Sequence, residues 1–221
     1  CGVEALARWH HPQRGWIEPM VFLEMAEQHR QTQLLGQELI RLSLDGFQEL
    51  RRRFGPLSFY LNLTPIQLLE PDLAERILQQ LQGRDLPPDQ LILELTEHSI
   101  LEPNALVRGN LERLRAAGIR VALDDFGTGY SSLMLLRTVR PDVVKIDKTF
   151  TQALDDDPAV VPIIRLIAQL APQLRLQLIA EGIEDLAMQE RLAALGIGLF
   201  QGFALGRPQP LQDWLVRASS R

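Results

Sequence analysis

Two adjacent carboxylates, Asp124 and Asp125, end an apolar run and are followed by the turn Gly127-Thr128-Gly129. In a pleated strand neighbouring side chains point to opposite faces, so both aspartates can serve one site only if the chain leaves regular strand geometry between them. Glycine permits such an exit because it adopts backbone angles that other residues avoid. Taken alone, the motif is also typical of a helix cap or a tight turn. It indicates a functional site only if other polar side chains converge with it.

Further polar side chains lie near the C-terminal ends of other short apolar runs. Each has an ordinary structural explanation when taken alone, such as a helix-entry residue, a surface ion pair or a solvated turn. Because that explanation would have to be repeated for run after run, a single shared site is the simpler interpretation. The side chains are Asn62, Glu94 with Glu97, Lys145 with Asp147, Glu181 with Glu184, and Gln201, while Glu4 lies inside its own run.

The residue types of this set predict metal-dependent phosphoester chemistry. Carboxylates gathered in one place repel one another unless cations neutralise them. All-oxygen ligation by Asp, Glu and Asn suits Mg²⁺ or Mn²⁺, whereas zinc prefers His and Cys. Two such ions, bridged by one carboxylate, can stabilise the attacking and the leaving oxygen of a phosphoester displacement. In this hypothesis Asp124 bridges the metals, Lys145 orients or deprotonates the attacking water, and Arg8 holds a phosphate oxygen.

The elements that must position these residues alternate along the chain. Short apolar runs predict seven strands, and segments with apolar residues three and four apart predict the helices between them. The predicted strands are 3–8, 57–63, 91–95, 119–123, 142–146, 176–180 and 197–202, and the predicted helices are 22–28 running on into 32–54, then 71–81, 105–118, 131–139, 160–171 and 186–196.

Alternating strands and helices predict a mostly parallel α/β fold, either an open doubly wound sheet or a (β/α)₈ barrel. Polar residues near the C-terminal ends of so many strands favour the barrel, because an open sheet concentrates its ligand groups at a single switch point. Seven strands leave a TIM-like barrel one short, so we expect one further strand before residue 1, outside this chain. We expect residues 1–221 to form a single domain of a longer multidomain protein.

The composition of the chain bears on its binding partners, its cellular location and its contact with membranes. The formal net charge of -5 and the sequence pI of about 5.4 argue against a broad basic face for duplex nucleic acid. The single cysteine, Cys1, cannot form an internal disulfide, so a cytoplasmic location is expected. No run reaches the roughly 18 apolar residues of a membrane span, so we expect no membrane contact by this domain and any anchor to lie outside the chain.

The polar residues belong to seven motifs that follow one another along the chain: EAL with Arg8-Trp9 (4–9), NLTPIQ (62–67), ELTE (94–97), DDFGTGYSSL (124–133), KID (145–147), AEGIE (180–184) and QG (201–202). Together they make residues 2–210 resemble the EAL domain family of bacterial phosphodiesterases. The resemblance implies a TIM-like (β/α)₈ barrel whose first strand is antiparallel to the others. It also implies hydrolysis of the second messenger cyclic di-GMP to linear pGpG with two Mg²⁺ or Mn²⁺ ions.

The resemblance assigns the metal ligands by position. One metal site takes Glu4, Asn62, Glu94 and Asp124, and the second-metal side of the centre takes Asp124, Asp125 and Glu181.

It assigns other roles as well. Lys145 contacts the nucleophilic water, and Glu97 holds the loop after Asp125 in its working shape. Catalytic roles are thus expected for Lys145, Glu97, Asp125 and Glu181. The expected substrate-side residues are Leu6, Arg8, Asp147, Glu184 and Gln201.

The chain departs from the family pattern in three places. A segment that resembles Tyr-Gln-Pro and helps to shape the guanine pocket is expected before residue 1. The segment His29-Arg30-Gln31-Thr32 stands where the family usually has Thr-Gly-Leu-Ile, and His98 stands where serine is common. The imidazole of His98, if it lies near the site, is expected to alter its pH dependence.

Two other functions stay open at this point. The domain could be a receptor that binds cyclic di-GMP without cutting it, or another metal-dependent barrel enzyme with a different phosphate or carboxylate substrate. The complete set of ligand residues favours the phosphodiesterase. The resemblance further implies a homodimer and covalent linkage to sensor or GGDEF domains outside this chain.

Overall fold

The computed structural model describes residues 1–96, 104–128 and 132–217. The chain forms two compact units, which are described separately. The first unit comprises Cys1–Leu93, Asn104–Ile119 and Gln209–Arg221, and the second comprises Glu94–Pro103 and Arg120–Pro208.

The described residues contain nine strands and ten α-helices. In chain order they are β1 (Gly2–Ala5), β2 (Trp9–His11), β3 (Gly15–Ile17), α1 (Pro19–Gln28), α2 (Thr32–Phe54), β4 (Ser58–Asn62), α3 (Pro65–Leu68), α4 (Leu73–Gln82), β5 (Leu91–Thr96), α5 (Ala105–Ala116), β6 (Arg120–Phe126), α6 (Ser132–Val139), β7 (Val143–Ile146), α7 (Lys148–Gln152), α8 (Val160–Leu174), β8 (Gln177–Ala180), α9 (Leu186–Ala194), β9 (Leu199–Phe200) and α10 (Leu211–Arg217).

Seven of these strands form one sheet in the order β1-β4-β5-β6-β7-β8-β9. They correspond to the seven strands predicted from the apolar runs. Every strand pair of this sheet whose register is described is parallel: β1 with β4, β6 with β7, β7 with β8, and β8 with β9. The prediction of an α/β fold with a parallel sheet is therefore confirmed.

In the first unit, helix α2 packs on strand β4. Ile40, Leu44 and Phe47 recur at helical spacing and are buried. The ring of Phe47 stacks on that of Phe59 in β4, with centroids 4.5 Å apart and planes inclined by 9°. Burial of such apolar side chains contributes roughly 1.5–3 kcal/mol each. This contact fixes the strand that ends at Asn62.

Two details of the first unit differ from the predictions. A single strand was expected over residues 3–8, but β1 ends at Ala5 and an antiparallel hairpin of β2 and β3 follows. Each hairpin strand has three residues, too few to show an alternating pattern. A continuous run from 22–28 into 32–54 is also wrong, because Arg30 adopts the left-handed φ of 56° and the Gln31 N–H donates to Ala26 O, which ends α1.

In the second unit, the parallel strands β6, β7 and β8 bury apolar side chains on both faces. Val143, Val144 and Ile146 of β7 are at most 1% exposed. Such burial is typical of parallel strands that helices cover. The register pairs Lys145 with Ile179 of β8, so this lysine lies in the interior of the sheet.

None of the helices in the three described ranges is both long and apolar enough to cross a bilayer.

Candidate active site

Lys145 of β7 is the centre of a buried charged cluster in the second unit. Its side chain is 1% exposed, and its Nζ lies 2.7 Å from Glu181 Oε1, 2.8 Å from Glu94 Oε1 and 3.3 Å from Asp124 Oδ1. These carboxylates come from β5, from β6 and from the segment after β8. The parallel strands thus bring together residues that are up to 87 positions apart, from Glu94 to Glu181. Buried charges are tolerated only when they are paired, as they are here.

The cluster carries more negative than positive charge, since three carboxylates surround one ammonium. Glu94 has a fully buried side chain, whereas those of Asp124 and Glu181 are 14% and 16% exposed. The acidic side that faces solvent is therefore open to a cation.

A bulge in β6 explains how two adjacent aspartates serve one site. The pairing with β7 shifts register between Leu123 and Phe126, and Asp125 has a left-handed φ of 53°. Such a bulge reverses the alternation of side chains along a strand. The Asp125 N–H donates to Asp124 Oδ1 over 3.0 Å, which fixes the first carboxylate. The predicted strand ends at residue 123, but β6 continues through Asp125 and resumes its pairing at Phe126.

Asp124, Asp125 and Glu181 form a group that could hold a metal ion. Each offers one carboxylate oxygen, and these oxygens all lie within 4.8 Å of one another. Hard oxygen donors of this kind suit Mg²⁺ or Mn²⁺. The residues present therefore fit the metal that the sequence predicts.

The loop that carries Glu181 is fixed to neighbouring segments of the second unit. The Glu181 N–H donates to Ile146 O, and the Ile183 N–H donates to Gln201 O. The Gln201 N–H in turn donates to Ala180 O over 2.8 Å. Gln201, predicted as a substrate-side residue, is thus placed directly beside the Glu181 loop.

Two of the predicted substrate-side residues make local contacts. Asp147 is 7% exposed, and its Oδ1 accepts hydrogen bonds from the N–H and the hydroxyl of Thr149, which caps α7. Glu184 Oε1 accepts a hydrogen bond from Gln152 Nε2. These contacts are structural, and the assignment of both residues to substrate stays a prediction.

In the first unit, the structure brings Glu4 and Asn62 together. Asn62 Nδ2 donates to Glu4 Oε1 over 2.8 Å at the paired ends of β1 and β4. Nearby along the chain, Leu6 is 42% exposed, and Arg8 Nη1 donates to Ala7 O. The ligand roles of Glu4 and Asn62 and the substrate roles of Leu6 and Arg8 stay predictions.

Several predicted residues lie outside the described ranges. They include Glu97, His98 and the loop residues Gly129, Tyr130 and Ser131. The predicted role of Glu97 as support for that loop is therefore not tested.

One contact of the site has no signal in the sequence. Thr151, which is fully buried in α7, donates its hydroxyl to Glu181 O over 2.6 Å. A helix of five residues is too short to show a periodic pattern. Only the structure brings this hydroxyl next to the Glu181 loop.

The chain matches the sequence model of the EAL domain over residues 1–208. It is 37% identical over 222 residues to MucR of Pseudomonas aeruginosa, a bifunctional diguanylate cyclase/cyclic di-GMP phosphodiesterase, with 97% of this chain and 32% of the relative covered. It is 36% identical over 214 residues to the cyclic di-GMP phosphodiesterase RocR of the same organism, with coverage of 97% and 55%. Escherichia coli PdeD, a probable cyclic di-GMP phosphodiesterase, is 36% identical over 227 residues, with coverage of 97% and 40%.

Solved structures of EAL proteins have the same fold. The MucR phosphodiesterase in complex with c-di-GMP superposes with a TM-score of 0.87 at 36% identity, covering 96% of this chain and 87% of that chain. The EAL enzyme Bd1971, bound to cAMP and cyclic-di-GMP, gives a TM-score of 0.90 at 27% identity, covering 98% and 60%. The fold is therefore of the TIM-barrel type found in EAL domains.

The chain spans between 26% and 55% of the length of the curated relatives named here and of similar ones. The family match, in contrast, runs over nearly all of the chain. This chain belongs to the EAL domain family.

Proposed function

We propose that this chain hydrolyses cyclic di-GMP to linear pGpG in a reaction that requires Mg²⁺ or Mn²⁺. The observation that carries the proposal is the acidic cluster around Lys145, in which Glu94, Asp124 and Glu181 all contact the same ammonium. The names of the related phosphodiesterases support the same substrate and reaction.

The metal would be held by Asp124, Asp125 and Glu181, whose oxygens are close enough to share one ion. The family resemblance assigns Glu4, Asn62, Glu94 and Asp124 to a second ion, so that Asp124 would serve both. When bound, the metal would neutralise charge on the phosphodiester and make water a better nucleophile at neutral pH.

The other groups of the cluster position the reactants. Lys145 Nζ is held in place by three carboxylates, of which Asp124 is the most distant at 3.3 Å, and it would orient the water by exchanging that contact for one to the water oxygen. In the proposed reaction that water attacks phosphorus, one P–O3′ bond breaks, and the 3′ oxygen leaves with a proton. Gln201 and Arg8 are proposed to contact the nucleotide, in line with the family resemblance.

The decisive experiment incubates the purified chain with cyclic di-GMP and Mg²⁺ or Mn²⁺, followed by chromatography for pGpG. We expect pGpG to form and a chelator to stop its formation. Binding of cyclic di-GMP without pGpG would favour the alternative, a non-catalytic receptor. Turnover of another compound in a nucleotide panel, with no cyclic di-GMP hydrolysis, would overturn the substrate assignment.

We also propose that the full protein links this domain to a sensor or GGDEF domain, acts in the cytoplasm and forms a homodimer. The family resemblance supports this proposal. The name of the relative MucR, a bifunctional diguanylate cyclase/cyclic di-GMP phosphodiesterase, also supports it, because that protein combines both activities of cyclic di-GMP turnover. Light scattering after size-exclusion chromatography measures the oligomeric state, and a monomer at all concentrations would contradict the dimer.

A further inference from the structure

Helix α7 follows the lysine strand directly and is fixed to it. It begins two residues after Ile146, and the buried Asp147 caps it by accepting from the N–H and the hydroxyl of Thr149. An N-cap of this kind stabilises a helix by about 1 kcal/mol. The orientation of α7 is therefore tied to the strand that carries Lys145.

One side of α7 supports the turn that follows Asp125. Gly127 has a φ of 102°, and a Cβ placed on it would lie 2.4 Å from Cε2 and 2.7 Å from Cζ of Phe150. The ring therefore lies directly against the main chain of Gly127. The turn itself is compact, because the N–H and the hydroxyl of Thr128 both donate to Asp125 O.

The same helix supports the loop that carries Glu181. Thr151 donates its hydroxyl to Glu181 O over 2.6 Å. A Cβ on Gly182 would lie 2.5 Å from Lys148 Cβ, so the main chain of this loop also packs closely on α7. Main-chain segments next to two of the three carboxylates of the acidic group thus pack on one short helix.

We propose that Phe150 is a positioning residue that sets the Asp125 carboxylate relative to that of Glu181. Its ring is the contact between α7 and the Asp125 turn, while Thr151 fixes α7 to the Glu181 segment. Without the ring, the turn can move into the vacated space, and the oxygens that now lie within 4.8 Å of one another separate. This inference rests on the proposed function, because it treats Asp125 and Glu181 as metal ligands.

The first test measures Mn²⁺ binding to the Phe150→Ala variant by titration calorimetry without nucleotide, so that it does not depend on turnover. Residues that orient metal ligands typically contribute 10- to 100-fold in metal affinity or activity, and we expect a loss of about tenfold or more. At saturating Mn²⁺ and with cyclic di-GMP as substrate, kcat should fall while KM changes little. Phe150→Leu, which keeps apolar bulk beside Gly127, should recover most of the affinity.

The control is Phe54→Ala, which removes a phenyl ring that is 45% exposed at the end of α2. It should leave the Mn²⁺ affinity unchanged. Wild-type affinity in Phe150→Ala would overturn the inference, and so would a loss that Phe150→Leu does not recover at all.

A double-mutant cycle tests the contact itself. Gly127→Ala places a methyl group against the ring and also forces alanine into a φ of 102°, so it should weaken Mn²⁺ binding. In the Phe150→Ala background the same methyl group meets no ring, so its effect should be smaller. Equal effects in both backgrounds would show that the ring does not hold the turn.

The outcomes separate this inference from the proposed function. Wild-type protein that binds Mn²⁺ but does not hydrolyse cyclic di-GMP contradicts the proposed function and leaves the affinity test of Phe150 decisive. Wild-type protein that hydrolyses cyclic di-GMP, with Phe150→Ala behaving identically, contradicts the inference alone. Wild-type protein that binds no Mn²⁺ contradicts both.

Discussion

Lys145 is almost completely buried and has three ionic partners, in keeping with the rule that buried lysines are paired. The carboxylates repel one another, and the ammonium offsets this repulsion in an environment of low dielectric constant. The same carboxylates are proposed metal ligands. Lys145 and a bound cation should therefore stabilise the cluster by the same physical means.

Replacing Lys145 with methionine tests this stabilising role. Lys145→Met keeps a long side chain but leaves Glu94 and its neighbours buried without the positive charge, which should destabilise the fold by about 3–5 kcal/mol. Added Mn²⁺ should restore part of that loss. Urea unfolding with and without Mn²⁺ measures both effects, and an unchanged midpoint for the variant would contradict the role of Lys145 as a structural counter-charge.

A second substitution tests Asp124, which contacts Lys145 and forms the acidic group with Asp125 and Glu181. Asp124→Asn keeps the shape but removes charge where the proposed metals need it. We expect turnover to fall by several orders of magnitude, more than about 4 kcal/mol of transition-state stabilisation. Cyclic di-GMP binding should persist in weakened form.

Turnover and nucleotide affinity, measured over a range of Mg²⁺ concentrations, check the Asp124 prediction. Excess Mg²⁺ should not rescue the variant. A variant with near-normal kcat would remove Asp124 from the reaction.

At the scale of elements, the sequence was most informative where a pattern extends over many residues. The seven strands of the sheet and the long helix α2 follow from apolar periodicity. The sequence predicted that the strand is irregular between Asp124 and Asp125, because both carboxylates had to face one site. It did not predict that this irregularity is a bulge. The hairpin of β2 and β3 and the short helix α7 depend on tertiary contacts that leave no periodic signal.

The candidate site likewise contains residues that the sequence predicts and residues that it does not. The types of residue at strand ends predicted the set that surrounds Lys145, since metal and phosphate chemistry demands such groups. From helix α7, the hydroxyl of Thr151 contacts the Glu181 loop and the ring of Phe150 contacts the turn after Asp125. Nothing in their type or spacing indicates that role.

The two loops that follow β8 and β9 pack closely against each other. Gly202 lies so close to the other loop that a Cβ would be 2.2 Å from Ile183 N and 2.3 Å from Ile183 O. Gly202→Ala must therefore push apart two main-chain segments that the hydrogen bond from Ala204 N–H to Ile183 O also joins. We expect a loss of at least about 2 kcal/mol in stability and a fall in activity.

Gly206→Ala is the matched control for Gly202→Ala, since a Cβ there meets nothing within 4 Å. Its stability should stay within about 0.5 kcal/mol of the wild type. Thermal unfolding of both variants measures the difference. Equal melting temperatures would mean that the two loops can separate freely.

At the scale of the whole molecule, the net charge of -5 is consistent with a protein that takes up cations rather than one that binds duplex nucleic acid. The buried acidic cluster concentrates part of that negative charge at one place. Any cation that binds the folded chain but not the unfolded chain must raise the stability of the entire fold. Metal binding can therefore be measured globally, without a substrate.

We expect Mn²⁺ and Mg²⁺ to raise the melting temperature of the wild type, with a stabilisation of about 2.7 kcal/mol at a concentration of 100 times Kd. Asp124→Asn should lose most of this effect, because it removes one of the three carboxylates that are proposed to share an ion. Ca²⁺ should also stabilise the fold but support little turnover, since its larger and looser coordination misplaces the attacking water. Scanning calorimetry with each ion, beside pGpG assays under the same conditions, separates binding from catalysis. Full turnover after exhaustive chelation, or an identical rise in melting temperature for Asp124→Asn, would contradict a metal site at this cluster.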